Sequence, residues 1–332
     1  MERPSPPFEK TSVIAPKRLD QTLDFSRVLE ELSVWDTSLL FQSLEENSIL
    51  TPILVAKINH MEGIEGALMV IDGFKRLKWA LEQGLNEVPV LKAGDMTRRQ
   101  VLLLLLSRYS GHLKTCATKA LFLNHLSEAG FPKNLLMDLA MKEIGLQPFG
   151  GLFEKYLRVS TLPKEVLRFC HEKDLSLKRC LNLTHQPKLL LEKIIRLRHK
   201  ISISASLLLE LTDNISDILK RDEITAEEFF EKEEIKKILS NEMDTNQRTR
   251  LFRKMVKEMR HPLLTRLQGE LQNIQNNYFK NSPLLVKWDE TLENKKVTIS
   301  ASVSHLSELS DIVDAISSAK TKEGIKKILS YF

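Results

Sequence analysis

The chain of 332 residues has few cysteines, few aromatic residues and no long apolar run. The longest purely apolar run, Val101 to Leu106, has six residues, whereas a membrane-spanning helix needs about 20. The first ten residues lack the apolar core of a secretory signal. Three cysteines are too few and too scattered for a disulfide framework: Cys116, Cys170 and Cys180. We therefore expect a cytoplasmic protein without a membrane partner.

The charge of the chain is distributed unevenly. The formal net charge is +5, but residues 92–200 carry 20 Lys and Arg against 9 Asp and Glu. A basic segment of this kind is what binding to nucleic-acid phosphates requires. A solvated basic face without a polyanion partner would have the same composition, so charge alone leaves both interpretations open.

The apolar pattern predicts a multidomain α+β protein: a small N-terminal α/β domain, an all-helical middle domain with a helix-turn-helix, and a small C-terminal α+β unit. The predicted segments are a flexible arm at 1–18, the α/β domain at 19–95, the helical domain at 96–200, a helical connector at 201–282, and a hairpin with two helices at 283–332. Within the middle domain, helical periods are predicted at 97–109, 115–129, 133–144, 149–159, 163–172, 176–183 and 187–199.

Residues 71–91 are the most informative stretch. An apolar strand runs into Asp72-Gly73, and a helix with Lys75 and Arg76 in its first turn follows. Glycine permits a tight turn, and the free N–H groups at a helix start attract anions. We therefore predict that Gly73, Lys75 and Arg76 bind a nucleotide or nucleic-acid phosphate. Arg76 could instead be a surface cation at a helix start, and both interpretations apply to Lys75. Trp79 is predicted to be a core residue rather than a base-stacking platform.

Two of the predicted helices are spaced as in a helix-turn-helix. Phe131-Pro132-Lys133 is a helix-start signal and Gly145 a stop, and the second helix of such a pair reads DNA. That helix contains Gly150-Gly151, which cost about 1 kcal/mol each in a helix interior and offer no side chain to a base edge. We therefore predict phosphate contacts, with weak sequence preference. The predicted DNA-binding residues are Lys133, Lys155, Arg158, Lys178 and Arg179.

Read together, these segments resemble the ParB family of partition and nucleoid-occlusion proteins. In the N-terminal part, the resemblance depends on L-F-Q-S-L-E-E-N-S-I-L-T-P-I-L-V at 40–55, I-D-G-F-K-R-L-K-W-A at 71–80 and G-L-N-E-V-P-V at 84–90. Downstream it depends on A-G-F-P-K-N-L-L-M-D-L-A-M-K-E-I-G-L at 129–146, L-P-K-E-V at 162–166 and D-L-S-L-K-R-C-L at 174–181. The order of these pieces, over roughly residues 19–190, makes the resemblance specific.

The resemblance implies an N-terminal α/β domain followed by a helical DNA-binding domain, and commonly a separate dimerisation domain. It implies a DNA-binding protein, cytoplasmic and nucleoid-associated, that acts in DNA partition, nucleoid organisation or plasmid or phage regulation. The expected partners are DNA, a second copy of the chain and a partition ATPase or another protein. In well-characterised members the first domain binds CTP with magnesium and acts as a sliding-clamp switch, so CTP is the one candidate cofactor.

Both nucleotide motifs of the family are incomplete in this chain. The first has Phe74 and Lys75 in place of Glu and Arg, and the second has Ser107-Arg108 in place of Glu-Asn. Because the metal-ligating carboxylate is missing, we expect weak or lost nucleotide switching and assign no catalytic or metal-binding residue. The alternative is a CTP- or ATP-dependent switch or enzyme whose helical domain binds a protein partner. A third interpretation is an adaptor that has lost both activities.

Two further predictions concern the C-terminal third of the chain. The basic stretch 246–268 is either a nucleic-acid arm or an amphipathic packing helix, and its apolar spacing favours the helix. The apolar residues of the closing helices are expected to pack on the hairpin: Leu306, Leu309, Ile312, Val313, Ile316, Ile325, Ile328 and Leu329.

Overall fold

The computed structural model describes residues 11–32, 38–58, 68–289 and 291–332. The chain forms two compact units, Met1–Thr212 and Asp213–Phe332. Their secondary structure is α+β, as predicted, with one small sheet in each unit. The boundaries of the five predicted segments remain predictions.

Among the described residues, the structure contains no helix with the length and apolar character to cross a membrane.

The first unit begins with a five-stranded mixed sheet. Its strands are β1 Ser12–Ile14, β2 Leu19–Asp20, β3 Ile53–Ile58, β4 Leu68–Asp72 and β5 Val88–Met96. The order is β1-β5-β3-β4-β2, with β3 parallel to β5 and antiparallel to β4. Met69, Val70 and Ile71 are all buried, although successive side chains of a strand point to opposite faces. The sheet is therefore covered on both sides at β4.

Residues 12–14 of the predicted flexible arm at 1–18 form a strand in this structure, and the extent of the arm stays a prediction. Residues 1–10 lie outside the described residues, but β1 pairs antiparallel with β5, with Ser12 opposite Val90 and Ile14 opposite Val88. The residue types favour a strand here, because Val13 and Ile14 are β-branched and such side chains fit the half-buried edge of a sheet. Pro16 follows the strand and begins a short 3₁₀ turn.

Three helices accompany this sheet: α1 Ser26–Glu31, α2 Ser38–Asn47 and α3 Phe74–Glu82. The apolar pattern also predicts a helix from Trp35 to Glu46 and a turn at 60–66, but residues 35–37 and 60–66 lie outside the described part of the chain. Trp79 on α3 is buried, which confirms its prediction as a core residue.

Seven helical segments follow, and each corresponds to a predicted period. They are α4 Arg98–Tyr109, α5 Cys116–Glu128, α6 Lys133–Leu135 continued by a π-helical stretch Leu136–Met141, α7 Gly150–Ser160, α8 Lys164–Glu172, α9 Leu177–Thr184 and α10 Lys188–Arg196. Local capping explains why their starts could be predicted. Thr97 and Gln100 cap α4 reciprocally, and Thr115 and Thr118 do the same for α5.

The remaining helices are α11 Ala205–Asp222, α12 Ala226–Glu231, α13 Glu233–Ser240, α14 Thr245–Arg260, α15 Pro262–Phe279, α16 Glu308–Ser317 and α17 Ala319–Leu329. The basic helix α14 buries Phe252 and Val256, which confirms that it packs. The predicted hairpin is present as β6 Leu285–Trp288 and β7 Val297–Ser300.

The hairpin shares a core cluster with α15 and α17. Its buried members are Leu271, Phe279, Val286 and Ile328. The packing prediction is confirmed for Ile328 but was wrong for most of α16, where Leu309, Val313 and Ile316 stay exposed. The reason is that α15, which was predicted to be part of the connector, covers the hairpin instead.

Candidate nucleic-acid interface

Gly73 forms the turn between β4 and α3. Its φ of +96° lies in the left-handed region, and it is the N-cap residue of α3 without a capping side chain. A Cβ at this position would lie 3.0 Å from Nη2 of Arg76. Glycine is therefore required here both by the backbone conformation and by the close approach of the arginine.

Arg76 is held by groups of its own domain. Its Nη1 donates to the carbonyl oxygens of Thr51, at 2.5 Å, and Pro52, at 3.0 Å. Its Nη2 lies 3.3 Å from Oδ2 of Asp72. Burial lowers the pKa of Arg76, and the Asp72 carboxylate acts in the opposite direction. The side chain thus ties the segment before β3 to the start of α3.

Asp72 has a second cationic partner, Arg108 on α4, which forms an ion pair with its Oδ1. Sequence reasoning missed this pair because Arg108 was considered only as a departure from a nucleotide motif. No local pattern links two residues 36 positions apart in the sequence. The pair connects the end of β4 to the helical part of the first unit.

Lys75 is almost completely buried, with 3% of its surface exposed. Its Nζ lies 3.4 Å from Oε1 of Glu30, and Nζ of Lys78 lies 3.3 Å from Oε2 of the same residue. Burial lowers the pKa of Lys75, and Glu30 partly offsets that effect. The structure therefore brings Gly73, Lys75 and Arg76 together, but it directs both cations to internal partners. Their phosphate-binding role stays a prediction.

The five predicted DNA-contacting cations fall into two groups. Nζ of Lys133 lies 2.5 Å from Oε1 of Glu154, so its charge is balanced locally. The other four are exposed, and within the described residues none of them forms an ion pair: Lys155, Arg158, Lys178 and Arg179. The first two lie three residues apart on α7, the last two lie on α9, and α7 packs against α9.

The core side of α7 explains why its cations face outward. Phe153, Tyr156 and Val159 are buried, and the helix packs on α5. The prediction that Gly150 and Gly151 lie in the interior of the second helix of the helix-turn-helix was wrong. They occupy its first two positions, where the N–H groups have no helical acceptor in any case, so the cost of interior glycines does not apply.

The three cysteines, which are widely separated in sequence, lie together behind this surface. Cys116 on α5, Cys170 on α8 and Cys180 on α9 are buried, and all are free thiols. The thiol of Cys180 donates to the carbonyl oxygen of Leu175 at 3.6 Å, and the other two thiols are close enough to shift its pKa. In the part of the chain that the structure describes, no group of three or more His, Cys, Asp or Glu side chains could hold a metal ion.

The chain matches no family model, and no curated protein matches it. Among solved structures, it is similar to the C-terminally truncated chromosome-partitioning protein ParB from Caulobacter crescentus. For the complex with CTP-gamma-S, the identity is 19%, the coverage 57% of this chain and 99% of that chain, and the TM-score 0.23. For the complex with the centromeric parS site, the identity is 18%, the coverage 61% of this chain and 97% of that chain, and the TM-score 0.23.

A pNOB8-like ParB N-domain is also similar to this chain, with 14% identity, coverage of 76% of this chain and 98% of that chain, and a TM-score of 0.31. These solved structures are of the same family that the sequence motifs resemble. At such TM-scores the likeness gives no residue roles, so the roles proposed below depend on the residues and contacts of this chain.

Proposed function

We propose that this chain is a DNA-binding protein of the ParB type, acting in DNA partition, nucleoid organisation or plasmid or phage regulation. The observation that supports this most directly is the group of four exposed cations on α7 and α9: Lys155, Arg158, Lys178 and Arg179. Because no neighbouring carboxylate neutralises them in the described structure, they are available to phosphate oxygens.

The order of α6 and α7 supports a helix-turn-helix as the docking element. Gly145, at φ +74°, ends the first helical segment, and α7 begins five residues later. The buried face of α7 fixes the helix on the domain, and Lys155 and Arg158 extend from the opposite side. In such a motif the second helix enters the major groove. Basic side chains beyond its first turn then contact the flanking phosphates.

The test is a titration of duplex DNA at several salt concentrations, followed by fluorescence anisotropy. The log of the binding constant should fall linearly with log salt, by about 0.9 per phosphate contact. We expect the pairs Lys155→Gln with Arg158→Gln and Lys178→Gln with Arg179→Gln each to reduce that slope by about 2. Lys133→Gln is the matched control, since Glu154 already balances its charge, and it should change the slope less. Absence of binding at low salt would overturn the proposal.

The alternative, a nucleotide-dependent switch or enzyme whose helical domain binds a protein partner, fits the site less well. Lys75 and Arg76, the residues that would meet a phosphate, are engaged by Glu30, Asp72 and backbone carbonyls. The segment 107–111 supplies no carboxylate to a metal. We therefore infer that nucleotide switching is weak or lost. Calorimetry with CTP and with ATP, each with and without magnesium, should show no saturable heat; saturable binding of either would support the alternative.

A homodimer is proposed through the second unit. On α16, Leu309, Val313 and Ile316 are 48%, 54% and 45% exposed, and their spacing places them on one side of the helix. Light scattering at micromolar concentration should give twice the monomer mass. Val313→Glu should lower that mass, whereas Ser310→Glu, on another side of the same helix, should not. A wild-type monomer would contradict the proposal.

A partition ATPase, or another protein, is proposed as a further partner on the sequence resemblance alone. A Walker-type ATPase gene adjacent to the gene for this chain would support it.

A further inference from the structure

Phe149 is an exposed aromatic residue at the start of α7. It is the N-cap residue of that helix, in an extended conformation and without a side-chain capping bond. The residue is 67% exposed, whereas Phe25, Phe74, Phe122 and Phe153 of the same unit are fully buried. Core packing therefore does not account for the position of this ring.

The ring rests on the backbone of Gly151. A Cβ at Gly151 would come within 2.7 Å of Cε1 of Phe149. The main chain before the helix is also fixed, since the N–H of Phe149 donates to the carbonyl of Gln147 at 2.8 Å and Pro148 lies between them. The carbonyl of Phe149 accepts from the N–H groups of Leu152 and Phe153. The phenyl ring is thus held in place before any ligand binds.

The two glycines leave the first two positions of α7 without side chains. In a helix-turn-helix the residues at this end of the second helix contact the base edges. A backbone without side chains can approach those edges closely, and the aromatic ring is the group that extends beyond it. The free cations Lys155 and Arg158 follow on the same helix, so a polyanion is the partner that matches the charge around the ring.

We infer that Phe149 is the sequence-reading residue of this surface and that its ring packs against the C5-methyl group of thymine in the major groove. A phenyl ring cannot hydrogen-bond to a base edge, and the thymine methyl is the apolar group that the major groove presents. This inference rests on the proposed function, because it requires that α7 dock on duplex DNA. It adds a preference for thymine to a surface that was expected to bind phosphate with little sequence preference.

The experiment compares three alternating duplexes, poly(dA-dT), poly(dA-dU) and poly(dG-dC), at one low salt concentration with the full chain. Uracil differs from thymine by the methyl group alone. The wild-type protein should bind poly(dA-dT) about fourfold more tightly than poly(dA-dU), which corresponds to the burial of one methyl group. Phe149→Ala should bind both about equally, while its salt slope should stay that of the wild type because no phosphate contact is lost.

Leu189→Ala is the matched control, since Leu189 is another exposed apolar residue of the first unit, at 47%. It should leave all three affinities unchanged. Unchanged melting temperatures should show that both variants fold, as both side chains are exposed. Equal wild-type binding to the thymine and uracil duplexes would overturn the inference, as would an equal loss for Phe149→Ala on all three. Either result leaves DNA binding intact, whereas absence of wild-type binding to any duplex rejects the proposed function and the inference together.

Discussion

The guanidinium of Arg76 lies directly beside the α-carbon of Gly73, so close that a Cβ on that glycine would be 3.0 Å from Nη2. The same guanidinium donates to two backbone carbonyls before β3 and pairs with Asp72. The turn that the sequence suggested as a phosphate site is therefore also a structural junction. Its arginine holds the end of one strand and the start of another together.

We predict that Gly73→Ala destabilises the protein. The φ of +96° is strained for any residue with a Cβ, and Arg76 would also have to move. The free energy of unfolding measured with urea should fall by about 1–3 kcal/mol. Gly111→Ala is the control, because a Cβ there meets open space and no positive φ is involved. Equal stability of the two variants would show that the junction is not strained.

A second prediction concerns the buried pair of Lys75 and Glu30. Glu30→Gln removes the charge that faces the ammonium group while Lys75 stays buried, so the free energy of unfolding should fall by about 3 kcal/mol. Lys75→Met removes the buried charge itself and should cost less. The double variant should lose less than the sum of the two single losses, since the residues are in contact. Additive losses in urea unfolding would mean that the two side chains do not interact.

Stability should also depend on the protonation of His125. Its ring packs against Phe25, with 5.5 Å between the ring centroids, and one ring nitrogen, Nε2, is buried without a hydrogen-bond partner in the described structure. Burial lowers the pKa of His125, and a hydrogen bond to the backbone of Leu23 acts in the opposite direction. The unfolded chain therefore binds the proton more readily, and stability falls as the pH drops through the unfolded value of about 6.5.

Urea unfolding at pH 7.5 and at pH 5.5 measures this effect. The wild type should lose stability at the lower pH, and His125→Gln should lose less. His185→Gln, which changes an exposed histidine, should keep the wild-type pH dependence. Burial also lowers the pKa of His171, and this residue is unchanged in all three proteins. An identical pH dependence for His125→Gln and the wild type would contradict the prediction.

We predict that the thiols of Cys116, Cys170 and Cys180 react only slowly with thiol reagents in the native protein. Cys116, Cys170 and Cys180 are all buried in the folded chain, so the reagent has little access to them, although hydrogen bonds from Cys116 and Cys170 lower the pKa of Cys180 to about 4. We expect no rapid reaction with Ellman's reagent in buffer and reaction of all three thiols in urea. Ser317→Cys, at an exposed position, should add one fast-reacting thiol and thereby show that the reagent is active. Fast labelling of the native wild type would mean that the cluster is accessible.

The helices and most strands could be predicted because their signals are local. Apolar periodicity marks the faces of α4 to α10, and their starts and ends are capped by neighbours in the sequence, as with Thr97 and Gln100. The glycine turn at Gly73 and the basic surplus of the middle segment were likewise visible. The strand β1 was not predicted. The prolines near the N-terminus suggested disorder, and the strand that pairs with β1 is more than 70 residues away in the sequence.

By itself, then, the sequence determined which segments are helical or extended, where the chain turns and where positive charge is concentrated. The tertiary structure alone decided which of those charges are free. Lys75, Arg76 and Lys133 are engaged by Glu30, Asp72 and Glu154, whereas Lys155 and Arg158 remain exposed. It also gathered the three thiols and placed Phe149 over Gly151. The physical reason is that a cation's partner depends on which distant elements pack beside it, and sequence spacing does not contain that information.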